Sequence, residues 1–152
     1  VRIFVAIRTL GWSAVKLGNA ALEQATALVI QQNANAHQVI ISSFHPIALY
    51  RIARLAPHIP RALIYQEDLF PWLLNGFWFR WLTRPQQIHP AHAMVTPQFV
   101  AWAQRQGYPL TPWAIDDPGE MQRVIALGVA SIMTNKPDIL RQTVDQTESQ
   151  RP

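Results

Sequence analysis

Cysteine is missing from this chain of 152 residues. Disulfides, thiolate metal sites and a cysteine nucleophile are thereby excluded. A cysteine-free chain fits a reducing compartment, and the expected location is cytoplasmic. Charged residues are scarce, at 14% against 49% hydrophobic, which marks a globular chain rather than a disordered one. Basic clusters are missing as well: Arg51, Arg54, Arg61, Arg80, Arg84, Arg105 and Arg123 stand singly. Without a basic stripe, no nucleic-acid partner is expected, although a net charge of +4 tolerates anionic ligands. There is no glycine-rich phosphate loop. Long hydrophobic runs are absent too. The most apolar window, Leu69 to Leu82, contains Asn75 and Arg80 and falls short of the roughly 20 residues that cross a bilayer. Val1 to Arg8 has neither the cationic lead nor the apolar core of a signal peptide.

What is present is an alternation of strand-like and helix-like segments. Ile3, Val5 and Ile7 alternate with Phe4, Ala6 and Arg8, as in a strand. Asn19 to Asn33 follows with Ala21, Leu22, Ala25, Leu28 and Val29 on one face at helical spacing. Val39 to Ile41 reads as a strand buried on both sides. Pro46 opens a helix that stops at Pro57. Ala62 to Tyr65 and Gln87 to His89 are further strands, with an aromatic helix over Asp68 to Leu82, broken near Gly76, between them. Thr96-Pro97 and Asp117-Pro118 are cap-plus-proline helix starts, and Gly107 and Gly128 are the matching stops. Leu110 to Ile115 and Val129 to Met133 are the last two strands, although Pro112 weakens the ladder expected of the first. Pro137 to Val144 is the last helix. Six βα units without a linker predict a parallel sheet covered by helices, in one domain over residues 1–145 with a polar tail over 146–152. Pattern alone leaves an open sheet and a barrel equally possible.

Several pieces, in order, resemble the C-terminal half of the glycerophosphodiester phosphodiesterases. They are Ser42-Ser43-Phe44, Ala56-Pro57, His89-Pro90, Thr96-Pro97 leading to Gly107, and Pro112-Trp113-Ala114-Ile115-Asp116-Asp117-Pro118. Ala126-Leu127-Gly128-Val129 and Ile132-Met133-Thr134-Asn135-Lys136-Pro137-Asp138 complete the series. The resemblance implies an α/β fold of the TIM (β/α)8 type, incomplete, with about six of eight βα units. It implies a phosphoric diester hydrolase that gives glycerol 3-phosphate and an alcohol with a divalent cation, calcium or magnesium. It also implies that the catalytic histidine pair and two acidic metal ligands belong to strands before Val1.

The first strand of this chain departs from the family pattern Glu-X-Lys, which here becomes Ala6 and Arg8. A methyl group cannot ligate a hard cation, which takes oxygen ligands. Arg8 keeps the charge and could fork onto a phosphate, or it could sit in solvent or an ion pair. Ala114 replaces a usual Thr and Ala130 a usual Asp. Phe44 and Trp113 end strands and could wall a substrate's alcohol part, or fill core. Arg8, Phe44 and Trp113 are therefore the expected substrate-binding residues. No catalytic residue is expected in this chain. Asp116 is a weak metal candidate that cannot replace the missing ligands alone, so no metal is expected to bind.

Other constellations weigh less. His89-Pro90-Ala91-His92 lacks a nearby acid and reads as structural or surface histidines. Ser42, Ser43 and His45 lack the glycine elbow of a serine hydrolase. Asp117 is an N-cap. The aromatic segment around Trp72, Trp78 and Trp81 could dip into a lipid interface, or serve as an outer helix. Two functional classes remain: a glycerophosphodiester hydrolase, inactive as this isolated chain, and a non-catalytic relative that binds a phosphorylated ligand or a protein. Small glycerophosphodiesters are the expected partners, with self-association through open barrel edges.

Overall fold

The computed structural model describes residues 3–7, 20–33, 36–66 and 80–149. Arg8, Trp72, Trp78 and most of the aromatic segment lie outside them. The chain divides into two compact units, Val1–Ile64 with Asp68–Gln87, and Tyr65–Glu67 with Ile88–Pro152. Four strands are regular: β1 (Ile3–Ala6), β2 (Val39–Ser43), β3 (Arg61–Tyr65) and β4 (Gln87–Pro90). They lie in chain order in one sheet. Strands β1 and β2 pair parallel, as do β2 and β3, with Val5 opposite Ile41 and Ser43 opposite Leu63. Parallel neighbours require crossover connections, and α1 (Ala21–Gln31) and α2 (Pro46–Leu55) lie in the two connections. Every residue of β2 is buried, which explains its lack of polar alternation. No helix among the described residues is long and apolar enough to cross a membrane.

The core of the first unit gathers Ile7, Ala27, Ile30, Val39, Ile41, Ala48, Ile52, Ala56 and Ile59. The apolar face that helical spacing marks on α1 is turned outward. The buried face of this helix carries Glu23, Ala27 and Ile30, while Ala21, Leu22, Ala25, Leu28 and Val29 are exposed. Glu23 can turn inward because Arg51 on α2 meets it at 3.2 Å. A buried carboxylate is tolerable only when paired, and the partner lies 28 residues away. Hydrophobic periodicity carries no trace of such a partner.

Arg61, at the start of β3, is 4% exposed. Its guanidinium donates to the carbonyl oxygens of Thr83, Pro57, Ile59 and Arg84 at 2.9–3.4 Å. The Gln86 side chain accepts from the Arg61 amide at 2.8 Å. Burial, then the neighbouring Arg84, lowers the Arg61 pKa from its ordinary value. This knot ties the short helix α3 (Arg80–Thr83) and the following turn to the N-terminal end of β3. That end of a parallel sheet serves stability rather than ligand binding.

In the second unit, α4 (Pro97–Arg105), α5 (Pro118–Ala126) and α6 (Pro137–Ser149) all begin with proline. Thr96 and Asp117 cap the first two through Phe99 N and Glu120 N, at 3.2 and 2.8 Å. Gly107 and Gly128 close them at φ +73° and +82°, where glycine avoids the Cβ clash. Leu110 to Ile115 is not a regular strand: parallel bridges join Leu110 to Ile88 and Trp113 to Ala91. Pro109 and Pro112 have no N–H to give, so bonding skips them. Val129 to Met133 is likewise irregular, held by Ala130 N to Leu110 O and Met133 N to Pro112 O at 3.0 and 2.9 Å. Helix α6 continues past Val144 to Ser149. The hydroxyls of Thr143, Thr147 and Ser149 each bond back four residues at 2.8 Å, so these polar side chains are satisfied within the helix.

Candidate functional site

Parallel pairing brings three loops of the second unit to one end. They are Ala91–Thr96 after β4, Ala114–Asp117 after the Trp113 segment, and Thr134–Lys136 before α6. This is the C-terminal end of the strands, where α/β barrels and open α/β sheets bind ligands.

Trp113 is half-buried, and its indole N–H donates to the His89 carbonyl at 2.8 Å. The bond fixes the ring at the end of its segment, a wall against which a ligand could rest. His89 itself is fully buried. Burial depresses its pKa to about 4, so it is neutral at physiological pH. This placement fits the structural role expected for it.

Asp116 is an anchor. One oxygen accepts from Thr134 Oγ1 and Asn135 N, both at 2.8 Å, and the other from Asn135 Nδ2 at 2.9 Å. Thr134 Oγ1 accepts in turn from Lys136 N at 2.9 Å. The side-chain bond from Asn135 chiefly lowers the Asp116 pKa, followed by the Asn135 amide, Thr134 and Lys136. Three of about four lone-pair directions are used within the protein. A carboxylate so engaged shapes the Thr134–Lys136 loop.

A second network was not read from sequence. Glu120 Oε1 lies 2.9 Å from His92 Nδ1, and the Arg123 guanidinium grips both carboxylate oxygens at 2.8 and 2.6 Å. Arg123 also donates to the Val95 and His92 carbonyls at 2.6 and 3.1 Å. The Arg123 bonds, then His92, push the Glu120 pKa down to about 2. The network clamps the Ala91–Thr96 loop to α5 and fixes the His92 ring through Nδ1. The Glu120–Arg123 spacing is visible in the sequence; its link to His92, 28 residues upstream, is not.

In the first unit, Phe44 follows β2 and is half-buried, and Ala6 presents its methyl at the end of β1. Ser43 Oγ donates to Ile7 O at 2.8 Å and accepts from His45 N at 3.0 Å. His45 Nδ1 accepts from Ile47 N at 3.2 Å and so caps α2. Burial, then Arg51, lowers the His45 pKa. These groups organise the turn after β2. Phe44 belongs to the first unit and Trp113 to the second, and Arg8 lies outside the described residues. Among the described residues, no three His, Asp or Glu side chains gather closely enough to hold a metal ion. With Ala6 offering only a methyl, the described residues do not by themselves fit a hard divalent cation.

Residues 8–139 match the model of the glycerophosphoryl diester phosphodiesterase family. A glycerophosphodiester phosphodiesterase of Caldanaerobacter subterraneus is 33% identical over 104 residues, covering 68% of this chain and 41% of the relative. A crystal structure of a glycerophosphodiester phosphodiesterase from Parabacteroides distasonis superposes with a TM-score of 0.71 at 18% identity, over 98% of this chain and 59% of that one. An Oleispira antarctica phosphodiesterase, solved with the product sn-glycerol-3-phosphate, gives 0.70 at 19% identity, over 84% of this chain and 52% of that one. The likeness in structure shows the fold: the parallel sheet and its alternating helices are part of a TIM-type α/β barrel. The chain spans well under two thirds of the length of these relatives.

Proposed function

We propose that this chain, which belongs to the glycerophosphoryl diester phosphodiesterase family, is the ligand-positioning portion of a phosphoric diester hydrolase whose products are glycerol 3-phosphate and an alcohol. The match over residues 8–139 carries the reading. In this account the chain supplies ligand contacts and leaves cation binding to other residues. In the first unit Arg8 is the candidate contact for a phosphate and Phe44 for an organic group; in the second unit Trp113 is the candidate contact for an organic group. Asp116 acts indirectly, by holding the Thr134–Lys136 loop that borders the same strand ends. Calcium or magnesium would have to be held by residues other than those described, and would there supply the charge that polarises a phosphate.

The position of Ala6 and the lack of a three-ligand cluster among the described residues favour a chain that does not hydrolyse diesters by itself. The same observations support a second reading, a non-catalytic relative that binds a phosphorylated ligand. Both readings predict that the chain binds glycerol 3-phosphate. Isothermal titration should then show Arg8→Ala weakening that binding by about 1–3 kcal/mol, the scale of charge-assisted hydrogen bonds. Equal affinity of both proteins would remove Arg8 from the site.

A further inference from the structure

The large hydrophobic side chains that stand exposed among the described residues are unevenly placed. All six lie on helices of the first unit: Leu22, Leu28 and Val29 on α1, Tyr50 and Leu55 on α2, and Trp81 on α3. The second unit has none among its described residues. On α1 the exposure reaches 52% at Leu22, 56% at Leu28 and 60% at Val29. These three, with Ala21 and Ala25, occupy the arc opposite the buried Glu23, Ala27 and Ile30. An outer helix ordinarily turns charged and polar residues outward. Here the outward arc is apolar, and the only carboxylate of α1 points inward to Arg51.

Charge follows the same division. The described residues of the first unit contain five arginines, Arg51, Arg54, Arg61, Arg80 and Arg84, against the single acid Glu23. Arg61 is consumed in its carbonyl knot and Arg51 faces Glu23. Arg54 and Arg84 are exposed. Arg54 also lines a shallow pocket of about 210 Å³ with Ala20, Tyr50, Arg51 and Leu55, beside the start of α1. The pocket is thus apolar with an arginine rim and contains no acidic residue.

We propose that the outer face of α1 and α2, with Trp81 of α3, docks on an anionic lipid surface. Aliphatic side chains on an outward helical arc enter the acyl boundary, while arginines beside them meet lipid phosphates. An exposed tryptophan suits the headgroup level. The net positive charge of the unit selects an anionic surface over a neutral one, and it disfavours a second copy of the same basic face. The contact requires no turnover, so it stands or falls separately from the reading of the catalytic end.

Vesicle co-sedimentation of the full chain tests it. Binding to phosphatidylcholine vesicles containing phosphatidylglycerol should exceed binding to pure phosphatidylcholine by about tenfold or more, and should weaken as salt rises. Leu28→Glu with Val29→Glu should abolish it, and Arg54→Glu should lower it about tenfold. These positions are exposed, and circular dichroism with an unchanged unfolding midpoint confirms intact folding. Trp81→Ala is a second variant on another helix and should also weaken binding. Equal binding to both vesicle types, no binding, or binding untouched by these variants overturns the proposal. So does a dimer in sedimentation that Leu28→Glu with Val29→Glu dissolves while vesicles remain unbound, because it makes a second copy the occupant. Glycerol 3-phosphate titration of the same variants should be unchanged, which keeps this surface distinct from the ligand end.

Discussion

The indole N–H of Trp113 donates to the main-chain carbonyl of His89 at 2.8 Å. The bond joins an irregular, proline-flanked segment to the buried strand β4, close to the bridge between Ala91 and Trp113. It gives the tryptophan one orientation where the Pro112 backbone can supply no N–H.

Replacing Trp113 by Phe keeps an aromatic ring and removes that donor. Trp113→Phe should lower stability by about 1–2 kcal/mol, the scale of one hydrogen bond lost from a partly buried carbonyl. Urea denaturation measures it. An unchanged midpoint would mean that the indole bond does not fix the ring.

His89 gives the fold a pH dependence with a defined sign. Its folded pKa is about 4, below the ordinary 6.5, because it is buried. Between those values the unfolded chain holds more protons on this residue than the folded chain. Stability from this group is therefore complete above pH 6.5 and falls as pH drops toward about 4, by about 3 kcal/mol in all. Glu120, held near 2, adds a separate loss that begins near its ordinary 4.5. Denaturation midpoints against pH should show the first slope in the wild type and a clearly shallower one in His89→Gln, where His45, its pKa also lowered by burial, leaves a part of it. A wild-type profile flat between pH 7 and 4.5 would contradict the assignment.

Arg61 predicts a large effect far from the ligand end. Arg61→Leu strips donors from the carbonyls of Pro57, Ile59, Thr83 and Arg84 and should cost about 2–4 kcal/mol. Arg61→Lys should recover only part, because an ammonium cannot reproduce the planar fork. Thermal unfolding of the three proteins checks the order. A leucine variant as stable as the wild type would reduce the knot to a crowded turn.

Local signals carried much of the fold. The cap-proline pairs at Thr96-Pro97 and Asp117-Pro118 and the stops at Gly107 and Gly128 act within a few residues, so the sequence displays them directly. The segments at Leu110–Ile115 and Val129–Met133 lie in the right places, but prolines remove the amides that a regular ladder needs. Which face of α1 turns inward was not legible, because the pairing of Glu23 with Arg51 reverses the usual sense of amphipathicity. At the candidate site, Trp113 and Asp116 were legible as residues. Their partners were not, since His89, Asn135 and the His92–Glu120–Arg123 clamp come together only through long-range pairing. Arg8 lies outside the described residues, and its part in ligand binding remains the proposal tested by titration.

This chain is proposed to position a phosphodiester ligand without hydrolysing it alone. The direct measurement is release of glycerol 3-phosphate from glycerophosphocholine by the purified chain, with calcium or magnesium and then with a chelator. No chelator-sensitive release is expected, because Ala6 supplies no oxygen and no three-ligand cluster exists among the described residues. Chelator-sensitive turnover that Trp113→Ala abolishes would contradict it, and would make Asp116 the first residue to test as a metal ligand.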